Sequence, residues 1–137
     1  MIAARDVWRK VRAALVGDPE ALPDALLARY PELRGVQLRR GGLAPRVGGW
    51  CLGRPSVAAI TLWRTVFLGR DARCTPDLLL HELRHVYQFE ASLAFPVQYV
   101  WESLRHGYHN NRFERDARAY ASARTAGTPT DPPLGDV

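Results

Sequence analysis

Lysine occurs once in the chain, at Lys10, methionine occurs once, and cysteine occurs twice. No apolar run is long enough to cross a bilayer; residues 91–101 come nearest and are broken by Pro96 and Gln98. Cys51 and Cys74 lie 23 positions apart and form no C-x-x-C, so a reduced pair is expected rather than a disulfide or a redox motif. Arg5 and Asp6 stand where a secretory signal needs an apolar stretch, so no such signal is expected and the cytoplasm is the expected compartment. Basic charge rests almost wholly on arginine, 18 residues against the single lysine, and the net charge is +5. Heavy use of arginine and alanine points to a GC-rich bacterial coding sequence. The arginines are scattered, and the densest group, Arg34, Arg39, Arg40 and Arg46, has few interleaved aromatics. Nucleic acid is therefore not expected as a partner, and with no spanning run neither is a membrane.

At 137 residues and 47% hydrophobic, the chain suits one compact domain with a real core. That domain is expected over residues 1–124. The segment 125–137, with three prolines and two glycines, is expected to be a disordered tail.

Val7, Val11, Ala14 and Leu15 are spaced for an amphipathic helix over 3–16, ended by Gly17-Asp18-Pro19. A short helix over 20–29 stops at Pro31. Residues 36–40 alternate like a strand with one wet face. The stretch 41–55, with five glycines and two prolines, reads as a loop. Residues 56–68 read as strand, with Trp63-Arg64 as a hairpin turn or one long bent strand as the alternative. Thr75-Pro76-Asp77 is a strong helix start, with a capping hydroxyl, proline at the first helical position and an acid complementing the dipole. A further helix opens at Pro96, carries Val97, Val100, Trp101 and Leu104 at i, i+3, i+4 and i+7, and closes at Gly107. Asn111 caps a last helix to about residue 124, with Phe113, Ala117, Tyr120 and Ala121 as its apolar positions. The four tryptophans read as core or rim. The expected class is α+β, a small sheet or β-hairpin packed on helices with the helix at 77–90 central.

That helix carries His81-Glu82-Leu83-Arg84-His85. Histidines four apart on a helix point the same way, so two imidazoles can grip one metal ion, while the glutamate between them stands ready to take a proton from the water such an ion activates. On a wheel at about 100° per residue, Leu79, Leu83 and Val86 fall within about 60° of one another. His81 and His85 fall on the opposite side, so they face solvent or a site. A catalytic zinc wants three protein ligands and a water. Glu114, 29 residues after His85, is preferred as the third because a packed helix holds a ligand better than a loop does. His106 and His109 are its rivals, and Asp116 is a candidate for orienting a histidine. Glu114 also stands at capping-box spacing from Asn111 and at salt-bridge spacing from Arg118, and Glu82 is within reach of an arginine such as Arg105. Cys74 reads as a small buried residue.

His81-Glu82-x-x-His85 followed by Glu114-x-Asp116-Ala117-x-x-Tyr120-Ala121 resembles the gluzincin arrangement of zinc peptidases. It is similar to small bacterial peptidase-like domains such as the ImmA/IrrE type. It also resembles compact domains of unassigned function in which His81-Glu82-Leu83-Arg84-His85-Val86-Tyr87-Gln88 has a counterpart and a later Gly-Tyr-x-x-Asn-x-x-Glu matches Gly107-Tyr108-His109-Asn110-Asn111-Arg112-Phe113-Glu114. The resemblance covers residues 56–121 and departs at Arg118, where the ImmA/IrrE pattern has asparagine. It implies zinc (Zn2+) at His81, His85 and Glu114, Glu82 as general base, and a strand pair whose edge takes up an extended peptide. An oxyanion needs a further donor, for which Tyr108 is the first candidate and His109 the second. The expected activity is zinc-dependent hydrolysis of a peptide or protein substrate. The alternative is a catalytically weak, zinc-bearing domain that binds or regulates a protein partner.

Overall fold

A computed structural model describes residues 2–51 and 57–126, without the side chains of Ile2, Trp50 and Cys51. The fold is α+β. The elements run α1 (Ile2–Val16), β1 (Asp18–Glu20), α2 (Asp24–Arg29), a 3-10 turn (Pro31–Gly35), β2 (Gln37–Arg40), α3 (Leu43–Cys51), β3 (Ala59–Leu62), β4 (Thr65–Leu68), α4 (Pro76–Ala91), α5 (Phe95–His106) and α6 (Arg112–Ala126). The strands form one mixed sheet in the order β1-β2-β4-β3, with β2 parallel to β4 and the other pairs antiparallel.

The hairpin reading of 56–68 holds over its described part. Leu62 pairs with Thr65, and Trp63-Arg64 makes the turn. Trp63 takes a left-handed φ of 55°, a conformation that costs an ordinary residue about 1–2 kcal/mol. The turn leans on the far end of α4, where the Trp63 ring packs on Phe89 and Arg64 pairs with Glu90 at 2.7 Å. Along β3, Ile60 faces α3 and Thr61 faces α4, so these helices cover opposite faces of the strand.

Three sequence expectations change. The loop expected over 41–55 contains α3. Pro45 is tolerated because it lies in the first turn, where backbone N–H groups have no helical partner. Gly48, unfavourable by propensity, lets α3 close on the sheet, since a Cβ there would lie 3.2 Å from Val57 and 3.4 Å from Ile60. Residues 52–55 of that segment are outside the described part. The helix expected from residue 20 begins at Asp24; Asp18–Glu20 pairs with β2 instead, with Pro19 on a sheet edge where a missing N–H does no harm. The apolar stripe of α5 does not enter the core: Val97, Val100, Trp101 and Leu104 are 74%, 55%, 60% and 79% exposed. Trp8 and Trp63 are exposed too, so these three tryptophans are not core residues.

The core lies between the sheet, α2 with its following turn, α4 and α6. Leu33, Val66, Leu68, Leu79, Leu80 and Leu83 are essentially inaccessible there. The helix signals at residue 75 act as expected. Thr75 Oγ1 accepts from the Leu78 N–H at 3.2 Å, ahead of Pro76 and Asp77. Gly107 ends α5 with φ 78°. Asn111 caps α6 by accepting from the Phe113 N–H at 2.9 Å, while its amide donates to the Tyr99 carbonyl and to Ser103 Oγ on α5. The last helix reaches Ala126, two residues past its expected end, so Thr125 and Ala126 belong to it. The rest of the expected tail, 127–137, lies outside the described residues.

Candidate metal centre

α4 and α6 pack along each other, and α6 delivers Glu114 in its first turn to the polar side of α4. The Glu114 carboxylate meets both imidazoles. Oε2 lies 2.9 Å from His81 Nε2, and Oε1 lies 3.1 Å from His85 Nε2. The two rings stand edge to face with centroids 4.9 Å apart. One ligand atom from each of the three residues falls within 4.8 Å of the others. Glu114 and His85 are buried and His81 is half-buried, so the cluster is open on the His81 side.

Each sequence rival has another place. Asn111 caps α6 alone, leaving the Glu114 carboxylate free of capping duty. Arg118 bonds the His109 carbonyl rather than Glu114. His106 and His109 are exposed, and among the described residues only His81, His85 and Glu114 gather in a metal-ligating geometry. Glu82 is 5% exposed and pairs with no arginine among the described residues; its Oε2 accepts from Thr61 Oγ1 at 2.6 Å. Cys74 is half-buried, with its sulfur 3.7 Å from both Arg40 and Glu20 and outside the metal-ligating group.

The partners of these three residues were largely illegible in sequence. Tyr99 on α5 donates its hydroxyl to Glu114 Oε1 at 2.6 Å. Its only sequence signal is its place on the side of α5 away from the apolar stripe. Gln88, one turn after His85, has its Oε1 2.8 Å from His85 Nδ1. The Gln88 amide donates to the Phe113 carbonyl and to Asp116 Oδ2, which fixes its orientation, and Asp116 is held in turn by Arg84 Nε at 2.7 Å. Asp116, expected as a histidine's orienting partner, bonds Gln88 and Arg84 instead, and Gln88 is the residue that faces His85. Thr61, which holds Glu82, left no trace in the pattern of β3.

The electrostatics fit a cation. With the Gln88 oxygen facing Nδ1, the proton of neutral His85 sits on Nδ1 and the Nε2 lone pair points at the cluster, the tautomer a metal ligand needs. Burial disfavours the charged ring, but the hydrogen bond with Glu114 and the charges of Glu82 and Glu114 outweigh it and push His85 up to about 9. Burial acts against the charged form of Glu114 as well, yet its bonds to His81, His85 and Tyr99 hold it far below the usual carboxylate range. The carboxylate therefore demands positive charge, and a protonated imidazole or a metal ion supplies it. Tyr108 is 41% exposed; burial and then the charges of Glu114 and Glu82 raise its phenol well above its ordinary range, which keeps it a hydrogen-bond donor.

No family model, no curated protein and no solved structure matches this chain.

Proposed function

We propose that this chain is a zinc-dependent peptidase of gluzincin type, with His81, His85 and Glu114 as the metal ligands and Glu82 as the general base. The observation that carries the reading is the gathering of two imidazoles from α4 and one buried carboxylate from α6, with one ligand atom of each within 4.8 Å of the others. Two nitrogens and a carboxylate oxygen are a donor set that zinc accepts, with room left for water.

A zinc ion bound there supplies Lewis acidity toward a substrate carbonyl and toward the attacking water. Glu82 takes the proton of that water on a carboxylate oxygen and later passes it to the leaving amine. Thr61 holds the carboxylate in place from β3 at 2.6 Å. The Tyr108 hydroxyl, its phenol held above the ordinary range by burial and by the charges of Glu114 and Glu82, would donate to the oxyanion that develops on the carbonyl. Tyr99 and Gln88 keep Glu114 and His85 oriented. Among the described residues β3 is a sheet edge, and an extended peptide pairing with it runs beside Glu82.

The metal content of purified protein and its turnover of an unfolded-protein pool test this reading. One zinc per chain, with Glu82→Gln keeping the zinc and losing turnover, is the expected result. A chain that binds no divalent metal defeats it. The outward apolar side of α5 favours one alternative, a zinc-bearing module that binds a protein without cutting it. Full zinc loading with no turnover in wild type selects that alternative.

A further inference from the structure

The N-terminal helix α1 is seated inside out. On a wheel at about 100° per residue, Ala14, Val7, Val11, Ala4, Leu15 and Trp8 fill a sector about 120° wide. Val7, Trp8, Val11 and Leu15 are 58%, 72%, 40% and 51% exposed. The opposite side, with Ala13 and Asp6, is the half-buried one. The seating is set at the C-terminal end of the helix. Arg39 Nε donates to the Val16 carbonyl at 2.7 Å and Arg39 Nη2 to the Gly17 carbonyl at 3.2 Å. Gly17 lies backbone to backbone on residues 40–42, where a Cβ would stand 2.5 Å from the Arg40 oxygen.

Charge chooses what covers this face. Lys10 borders one edge of the apolar sector, and Arg12 and Arg5 border the other. Four cations (Arg5, Arg9, Lys10, Arg12) against one acid (Asp6, paired with Arg9 at 3.1 Å) give α1 a charge of 4 − 1 = +3, more than half of the chain's +5. We propose that α1 seats this protein on the surface of an anionic lipid bilayer, with the apolar sector in the acyl boundary, Trp8 at headgroup level and the basic edges on lipid phosphates. A nucleic acid would satisfy the basic edges and leave the apolar centre wet. A second copy of this chain would cover the apolar centre but bring two +3 helices together. Sequence patterning led to no expected membrane partner because no run spans a bilayer; a helix lying in the interface plane needs no such run. The proposal does not rest on the metal centre, and its test reads no turnover.

Full-length protein is sedimented with vesicles of equal parts phosphatidylglycerol and phosphatidylcholine, and separately with phosphatidylcholine alone. Partition onto the anionic vesicles is at least about tenfold stronger and falls with added salt. The double variant Val7→Asp/Val11→Asp, at exposed positions, loses about tenfold on the anionic vesicles with its helix content unchanged. Arg5→Glu/Arg12→Glu loses the preference for anionic lipid; if the aspartate variant does not fold, this pair decides alone. Equal or absent partition onto the two vesicles, or charge-reversed protein that partitions like wild type, overturns the proposal. So does a wild-type dimer that Val7→Asp/Val11→Asp splits, because the second copy is then the occupant.

Discussion

α4 and α5 follow one another in the chain, each with apolar residues at helical spacing, and they turn those residues opposite ways. On α4, Leu79, Leu83 and Val86 are buried against the sheet and α6, while the histidines of the other side meet Glu114. On α5, Val97, Val100, Trp101 and Leu104 face outward and the polar side faces in. The inner side of α5 is occupied: Tyr99 bonds Glu114, Ser103 accepts from Asn111, and Phe95 packs on Phe89 and Phe113. Turning the stripe inward would strand a buried carboxylate and a buried asparagine without these partners, and an unpartnered buried polar group costs about 1–3 kcal/mol, more when charged. An apolar stripe left in water forgoes a gain of similar size per side chain. The comparison teaches that a periodic apolar stripe does not by itself fix which side of a helix faces in: on α5 the inner side is taken by Tyr99, Ser103 and Phe95, and the stripe is left outside.

The sharpest break of that comparison falls on the inner polar groups. Glu82→Gln should lower turnover by about 10²–10⁴-fold with zinc content unchanged, as loss of a general base does; initial rates and metal analysis on the same preparation check it. Glu114→Ala should weaken zinc binding by more than the roughly 10–100-fold typical of a supporting residue, measured by competition with a chelator. Gln88→Ala removes the group that faces His85 Nδ1, together with its bonds to Phe113 and Asp116, and should fall within that 10–100-fold range.

A matched pair then compares the two stripes directly. Leu83→Ala should cost about 2–5 kcal/mol in chemical denaturation, because Leu83 is 2% exposed. Leu104→Ala, at 79% exposure, should stay within about 0.5 kcal/mol. Equal costs would mean that the α5 stripe is covered in the folded protein.

The same cluster also sets a dependence on pH. His85 rises from an ordinary 6.5 to about 9 in the folded, metal-free chain. A raised value stabilises fully below 6.5 and is lost as pH climbs through 9, so the melting temperature of metal-free protein should fall across that interval. Glu114 has the opposite sign: its stabilisation is present above 4.5 and is lost on acidification. Zinc must displace the His85 proton, so apparent zinc affinity should strengthen with pH up to about 9, read by titration at several pH values.

Local chemistry made much of α4 and α6 legible. The cap at Thr75, the spacing of His81 and His85, and the Asn111 start of α6 depend on neighbours a few residues away, and backbone geometry answers such signals almost alone. Glu114 was legible for a weaker reason, as the best-held carboxylate downstream, and the structure brings it to both rings. α3 was not legible, because its glycines and proline are unfavourable locally and only the close approach to Val57 and Ile60 gives Gly48 a purpose. Tyr99, Thr61 and Gln88 are single polar residues whose roles exist only once α5, β3 and α6 surround α4.

Sequence alone thus determined the α+β class, the boundaries of α4 and the candidate donors, because 3.6-residue periodicity and capping are properties of short stretches of chain. Which way α1 and α5 face, what orients His85, and which strand holds Glu82 were decided only by tertiary structure. Those outcomes depend on burial and hydrogen-bond satisfaction between segments distant in sequence, and no local pattern encodes that balance.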